Sequence, residues 1–112
     1  MSEFDDLLKM LVDFRDERDW AQFHDSKNLA LALSIEAAEL NELFLWKTES
    51  QAEDVNVDRL KEELADVFVF AILLAGKHRL DIPTIIKRKI AENAVKYPIE
   101  QVKGTATKYK DL

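Results

Sequence analysis

The sequence predicts an all-α protein, and three observations support this fold class. Only two Gly and two Pro interrupt 112 residues. Ala, Leu, Glu and Lys, which favour helices, make up much of the chain. The apolar residues recur mainly at intervals of three and four, as on one face of a helix, and not in strict alternation. At this length we expect one domain with a modest core.

The first predicted helix runs from Ser2 to about Asp19. It has apolar residues at helical spacing among charged ones, which is typical of an amphipathic helix; they are Leu7, Leu8, Leu11, Val12 and Phe14. Residues 20–28 have no sustained period and are predicted to form an aromatic-rich loop. Asp25 or Ser26 is the candidate N-cap of the helix that follows.

Two long helices are predicted next. The second runs from about Lys27 to Lys47 without a helix-breaking residue. Residues 48–56 are polar and acidic, and they end with two candidate N-caps, Asp54 and Asn56. The third helix should then continue to about Arg79.

A fourth helix begins at Asp81 and ends before Pro98, with Pro83 acceptable in its first turn. The remaining residues, 99–112, are polar, and we expect them to be extended or partly mobile. The predicted organisation is therefore one helical domain of residues 1–98 followed by a C-terminal tail of residues 99–112.

The second half of the third helix is apolar on nearly every side, from Val67 to Leu74. Such a helix must be covered all round, and three short partner helices offer little surface for this. We therefore expect a homo-oligomer.

The charge and the hydropathy pattern limit the class of partner. The formal net charge is −6, from 22 acidic and 16 basic residues, whereas proteins that bind DNA or RNA present a basic face. The chain has no cysteine, no start typical of a signal peptide and no apolar run of about 18 residues. We expect a cytoplasmic protein that binds neither nucleic acid nor membranes.

Two pairs of acids stand out, Glu36 with Glu39 and Glu63 with Asp66. A spacing of three places each pair on one face of its helix, although solvated acids at this spacing are common. At about 100° per residue, all four fall within or beside the apolar arc of their helix and are predicted to point inward or close to it. Inward carboxylates require protons or cations, and carboxylate oxygens suit Mg²⁺ or Mn²⁺.

The order of these motifs resembles the all-α MazG-like nucleotide pyrophosphohydrolases, and among them the dCTP pyrophosphatase branch. The resemblance extends over nearly the whole chain. The matching residues are Arg18-Asp19-Trp20, Phe23-His24, Asn28-Leu29, Glu36-Ala-Ala-Glu39-Leu, Leu43-Phe44-Leu45-Trp46-Lys47, Glu62-Glu63-Leu64-Ala65-Asp66-Val67, Asn93, Lys96-Tyr97-Pro98 and Lys108-Tyr109.

The resemblance implies a four-helix bundle that hydrolyses a nucleoside triphosphate to the monophosphate and pyrophosphate. It implies that Glu36, Glu39, Glu63 and Asp66 bind Mg²⁺, which in turn binds the triphosphate. The proton of the attacking water would pass to a carboxylate, either Glu39 or Glu62.

The resemblance also suggests residues that bind the nucleotide. Trp20 and Trp46 match aromatic residues of the base pocket, where a base can stack on an indole ring, although both could be ordinary core residues. The other candidates are His24, Lys47, Phe70, Asn93, Lys96 and Tyr97. Each of these could instead serve a structural role.

Two positions depart from the dCTP-preferring members, which have a histidine and a tyrosine where this chain has Leu11 and Phe70. Selectivity among bases depends on hydrogen-bonding groups that a wrong base leaves unpaired. We therefore expect dNTP substrates of more than one base, with dCTP among them. The expected assembly is a homodimer or a dimer-based homotetramer. The alternatives are a related hydrolase that prefers dUTP or another NTP, and a non-catalytic helical interaction protein.

Overall fold

A computed structural model describes residues 2–112, and all regular structure in this range is helical. The helices are α1 (Glu3–Glu17), α2 (Ser26–Glu42), α3 (Glu49–Glu53), α4 (Val57–Lys77), α5 (Ile82–Lys96) and α6 (Ile99–Val102), with 3₁₀ turns at Ala21–Phe23 and Tyr109–Asp111. The predicted all-α class and its four long helices are confirmed. None of the helices between residues 2 and 112 has the length and apolar character needed to span a bilayer.

Side-chain caps explain where the long helices begin. The N-caps are Asp25 for α2, Asn56 for α4 and Asp81 for α5, and each side chain accepts a hydrogen bond from a backbone N–H of the first turn. Such bonds satisfy donors that have no partner inside the helix. Between the alternatives that the sequence left open, the caps are therefore Asp25 and Asn56. Ser2 caps α1 in a reciprocal pair with Asp5.

One predicted boundary was wrong, and two short helices were not predicted. Helix α2 ends at Glu42, not at Lys47, because the following N–H groups bond to carbonyls three residues back and Trp46 adopts a positive φ of 63°. The polar stretch after it contains α3, which Thr48 caps reciprocally with Gln51. The tail predicted to be extended contains α6 and a 3₁₀ turn.

The chain divides into two compact units, one ending at Arg79 and one formed by residues 80–112. In the first unit α4 packs against both α2 and α1. Gly76 on α4 permits a close approach to α1, because a Cβ atom there would lie 2.5 Å from a Cδ atom of Leu8. The buried apolar residues are Leu29, Leu43, Ile72, Leu73 and Ala75.

The apolar half of α4 is better covered than the sequence suggested. Between Val67 and Leu74 only Phe68 is exposed, because α1 and α2 pack on the other sides. The exposed apolar side chains of the first unit lie elsewhere, for example Leu31, Ile35 and Trp46.

The second unit contains α5, α6 and the last 3₁₀ turn. The chain turns at Gly104, which has a φ of 82°. The ring of Tyr109 lies edge-on to Tyr97, with centroids 5.9 Å apart, and Lys96 Nζ lies 4.9 Å from the centroid of Tyr109. These contacts hold the C-terminal residues against the end of α5. The predicted boundary between a domain and a tail at residue 98 stays a prediction.

Candidate metal centre

Three of the predicted ligands form a compact group between α2 and α4. One oxygen each of Glu36, Glu39 and Glu63 lies within 4.8 Å of the others. Asp66 lies outside this group, although its charge acts on both Glu36 and Glu63. The packing of α2 against α4 therefore joins acids that are 27 residues apart in sequence.

The four acids, which were predicted to point inward or close to it, are not equally buried. Glu36 and Glu63 are partly buried, whereas Glu39 and Asp66 are exposed. The reason is that the second acid of each pair lies at the edge of the packed face, three residues further along the helix. One oxygen of Glu36 and one of Glu63 are buried and form no hydrogen bond with any other residue between 2 and 112.

The proximity of these acids disfavours their ionisation. Burial is the largest cause that raises the pKa of Glu36 from 4.5 to about 7, followed by hydrogen bonding with Glu39 and the charges of the neighbouring carboxylates. The pKa of Glu63 is also raised, first by burial and then by the charges of Glu39 and Asp66. Near neutral pH the metal-free group therefore retains protons that isolated glutamates would have lost.

Between residues 2 and 112, no cationic side chain compensates for this repulsion by direct contact. In the part of the chain that the structure describes, none of the four acids forms an ion pair with Lys, Arg or His. The charge of Arg59 lowers the pKa of Glu63, but it is the weakest of the influences on that group. Clustered oxygens, two of them buried without partners, fit a hard divalent cation such as Mg²⁺ or Mn²⁺.

A cavity of about 390 Å³ adjoins the acids in the first unit. Its wall includes Glu36 and Asp66, so the carboxylates and the cavity form one continuous site. The other lining residues are Leu11, Phe14, Arg15, Trp20, His24, Val69, Phe70 and Leu73. The lining has apolar and aromatic surface next to negative charge, and the volume is within the range of small-molecule pockets.

Trp20 and His24, two of the predicted nucleotide-binding residues, line this cavity, and their roles in binding stay predictions. Trp20 is 45% exposed and lies edge-on to Phe14, with ring centroids 5.9 Å apart. Burial, and then the charge of Arg15, lower the pKa of His24 from its usual value, which favours the neutral imidazole. Its ring lies edge-on to Phe70, and its buried Nδ1 forms no hydrogen bond within the described range.

Leu11 and Phe70, the two positions that depart from the dCTP-preferring pattern, both line the cavity. Neither side chain can donate or accept a hydrogen bond. The cavity is therefore less polar at these positions than the resemblance would imply.

Three predicted site residues of the first unit are not among the residues that line the cavity. Trp46 is 92% exposed, and Lys47 and Glu62 are also exposed. Asn93, Lys96 and Tyr97 belong to the second unit, where the Tyr97 N–H donates to the Asn93 carbonyl at 2.8 Å. The roles of all six in nucleotide binding stay predictions.

The sequence reasoning missed Arg15, a cation in the cavity wall. Its Nε donates to Asp16 at 2.9 Å, and its charge acts on His24. One available signal was its position, since Arg15 follows Leu8, Leu11 and Val12 on the apolar face of α1.

Residues 31–112 match the MazG-like family. The chain belongs to this family. The matched region contains all four acids, most of α2, the whole of α4 and the whole second unit. It begins after α1 and the aromatic loop, which contribute Trp20 and His24 to the cavity.

Similar proteins have also been characterised or solved. This MazG-like chain is 37% identical to dCTP pyrophosphatase 1 of Rattus norvegicus over 113 residues, and the alignment covers 96% of the chain and 66% of that protein. It is 36% identical to the Homo sapiens protein of the same name, of which it also covers 66%. The chain thus spans just under two thirds of the length of these relatives. The crystal structure of a pyrophosphatase from Archaeoglobus fulgidus superimposes with a TM-score of 0.83 at 35% identity, covering 88% of this chain and 94% of that one.

Proposed function

We propose that this protein is a divalent-metal-dependent nucleoside triphosphate pyrophosphohydrolase that cleaves dNTPs, including dCTP, to the monophosphate and pyrophosphate. The observation that carries the proposal is a group of carboxylates without counter-ions beside an aromatic cavity of about 390 Å³. Membership of the MazG-like family and the names of the relatives support the same reaction. The activity would serve nucleotide-pool control or the removal of modified nucleotides in the cytoplasm.

Metal binding is assigned to Glu36, Glu39, Glu63 and Asp66. Three of them offer oxygens within 4.8 Å of one another, and Asp66 extends the negative surface along the cavity wall. Bound Mg²⁺ would neutralise the phosphate oxygens, orient the leaving pyrophosphate and lower the pKa of the attacking water. Mn²⁺, which prefers the same ligands, is a possible substitute.

The other residues position the nucleotide and accept a proton. The Trp20 indole offers a face on which a planar base can stack, while Phe70 and Leu11 exclude water without selecting a hydrogen-bonding pattern. Water adds to the α or β phosphorus, and the oxygen bridge between these two phosphorus atoms breaks. Glu39 is a better acceptor for the water's proton than Glu62, because an oxygen of Glu39 belongs to the carboxylate group.

The expected range of substrates follows from the apolar side chains of Leu11 and Phe70 in the cavity wall. Discrimination by hydrogen bonds can reach about 10⁴-fold or more, whereas apolar contacts separate similar groups by only about 10–200-fold. We therefore propose that the enzyme accepts several dNTPs, and dUTP or another NTP stays open as the preferred one.

We also propose that the protein forms a homodimer or a dimer-based tetramer. Leu31 and Ile35, four residues apart on α2, are 52% and 56% exposed, and Phe68 on α4 is 53% exposed. Leu31 and Ile35 lie on the same face of α2, and large exposed apolar patches are typical of interfaces. Light scattering coupled to size-exclusion chromatography measures the assembly directly, and a monomer at micromolar concentration would contradict the proposal.

The activity is tested by incubating the purified protein with each dNTP and NTP and Mg²⁺, and measuring products by ion-exchange chromatography. The wild type should release monophosphate and pyrophosphate in equal amounts, and Glu63→Gln should reduce the rate to near background. Glu42→Gln is the matched control, because Glu42 is an exposed acid at the end of α2 outside the carboxylate group. It should retain the wild-type rate.

Two further measurements complete the test. Hydrolysis in ¹⁸O-labelled water identifies the phosphorus that is attacked, since the label enters the monophosphate after attack at the α position and pyrophosphate after attack at the β position. If no nucleotide is hydrolysed with Mg²⁺ or Mn²⁺, the proposal fails and a non-catalytic helical interaction protein becomes the better account.

A further inference from the structure

The chain makes a tight turn between the end of α1 and Trp20, one of the residues that line the cavity. Asp19 adopts a positive φ of 55°, a conformation that Asp tolerates better than most residues. The backbone N–H of Trp20 then donates to the carbonyl of Arg15 at 3.0 Å. Gln22 Nε2 stabilises the reversal by donating to the carbonyl and the carboxylate of Asp19, at 2.9 and 3.1 Å. The backbone of Trp20 is thus fixed against the last turn of α1.

The indole ring is less constrained than its backbone. Trp20 is 45% exposed, and its ring lies edge-on to Phe14, which is itself 48% exposed. Burial alone does not fix either ring. The orientation of the Trp20 ring therefore depends on what fixes Phe14.

Arg18 contacts Phe14 in two ways. Its guanidinium carbon lies 3.6 Å from the centroid of the Phe14 ring, and its Nη1 donates to the Phe14 carbonyl at 2.8 Å. The same guanidinium carbon lies 6.0 Å from the Trp20 ring. A cation over an aromatic face is attracted by the quadrupole of the ring. Arg18 therefore fixes Phe14 at the side chain and at the backbone together.

Arg18 is not among the residues that line the cavity, whereas Phe14 and Trp20 both line it. We propose that Arg18 is a positioning residue, which holds the Trp20 ring through Phe14 in the orientation needed to stack the nucleotide base. The proposal rests on the proposed function, because it takes the cavity to be the base pocket.

This role predicts an effect that depends on the base of the substrate. Arg18→Met should raise the KM for dCTP about two- to fivefold, the effect expected when one exposed cation–aromatic contact is lost, and should change kcat by less than about twofold. The inhibition constant of inorganic tripolyphosphate, which has no base, should not change. Arg18→Lys should restore only part of the wild-type KM, because an ammonium cannot stack as a planar guanidinium does.

The order of contacts can be tested separately. If Arg18 acts through Phe14, Arg18→Met added to Phe14→Leu should raise the KM no further than Phe14→Leu alone. Lys9→Met is the matched control, because it removes another exposed cation of α1 whose partner is Asp13. It should leave the KM for dCTP unchanged.

A readout independent of activity measures Trp20 directly. In a Trp46→Phe background Trp20 is the sole tryptophan, and Arg18→Met should increase its quenching by acrylamide and lower its fluorescence anisotropy. Equal weakening of dCTP and tripolyphosphate, or unchanged quenching and anisotropy, would overturn the proposal. If the wild type hydrolysed no nucleotide, the proposed function would fail, and the fluorescence comparison would still decide whether Arg18 holds Trp20.

Discussion

Replacing Glu36 by Gln should stabilise the metal-free protein, which is the opposite of what most substitutions at a binding site do. Gln has the shape of Glu without the charge, so it removes the repulsion within the carboxylate group and leaves the packing intact. As the pH rises from 4.5 to about 7, the unfolded chain loses a proton that folded Glu36 keeps. Glu36 therefore lowers the free energy of unfolding of the metal-free wild type over this range, and the variant, in which the pKa of Glu63 is still raised, should show a smaller fall.

The size of the effect follows from the pKa of Glu36. The difference between 4.5 and about 7 corresponds to roughly 3 kcal/mol, at about 1.36 kcal/mol per pH unit. Glu36 is only partly buried, and solvent screening reduces this to about 1–2 kcal/mol. For a chain of this length, the melting temperature near pH 8 should rise by about 4–8 °C.

Thermal unfolding followed by circular dichroism in EDTA tests this, with Glu42→Gln as the control. Near pH 5 the gain should shrink to about a quarter, because folded Glu36 is then already protonated. Saturating Mg²⁺ should reverse the order of stability, since the wild type gains the binding free energy and the variant has lost a ligand. A metal-free Glu36→Gln that is less stable than the wild type near pH 8, or an equal gain in Glu42→Gln, would refute the reasoning.

Three other predictions concern the metal and two tertiary contacts. Mg²⁺ affinity should fall as the pH falls from about 7 to about 5, because protons compete for the carboxyls whose pKa values are raised. Calorimetry in buffers of different ionisation enthalpy should detect the protons that are released on binding. Ser26→Ala removes a hydrogen bond of 2.8 Å to His78 Nε2 that joins the start of α2 to the end of α4, and urea denaturation should show a loss of about 0.5–1 kcal/mol, whereas no loss would contradict the contact. Tyr109→Leu removes the ring that packs on Tyr97, so hydrogen exchange of residues 99–112 should accelerate while that of α2 and α4 stays unchanged.

The unfavourable electrostatics of the metal-free site are consistent with its proposed function. A group of acids that repel one another costs folding free energy, yet the same arrangement offers a cation several oxygens already close together. The repulsion among these acids therefore raises the free energy of the metal-free protein, and metal binding would relieve that repulsion. This is a common feature of sites whose ligands are preorganised by rigid helices.

Much of the fold could be predicted from local chemistry. The spacing of apolar residues and the scarcity of Gly and Pro indicated four long helices, and the caps at Asp25 and Asn56 were each one of two candidates that side-chain oxygens indicated. The end of α2 was not predictable in this way, because the side chains of residues 43–47 are compatible with a helix, yet the N–H groups of residues 43–45 bond three residues back and Trp46 adopts a positive φ. The short helices α3 and α6 are too brief to produce a periodic pattern.

The sequence by itself determined which acids share a helix face and how they relate to a known family, because helical spacing and motif order are properties of the chain. Tertiary structure decided the rest. Packing of α4 against α2 brought Glu36, Glu39 and Glu63 together and left Asp66 outside that group, and the reversal after α1 brought Trp20 to the same cavity. The physical reason is that burial and electrostatic repulsion depend on distances between residues remote in sequence, which side-chain periodicity within one helix does not specify.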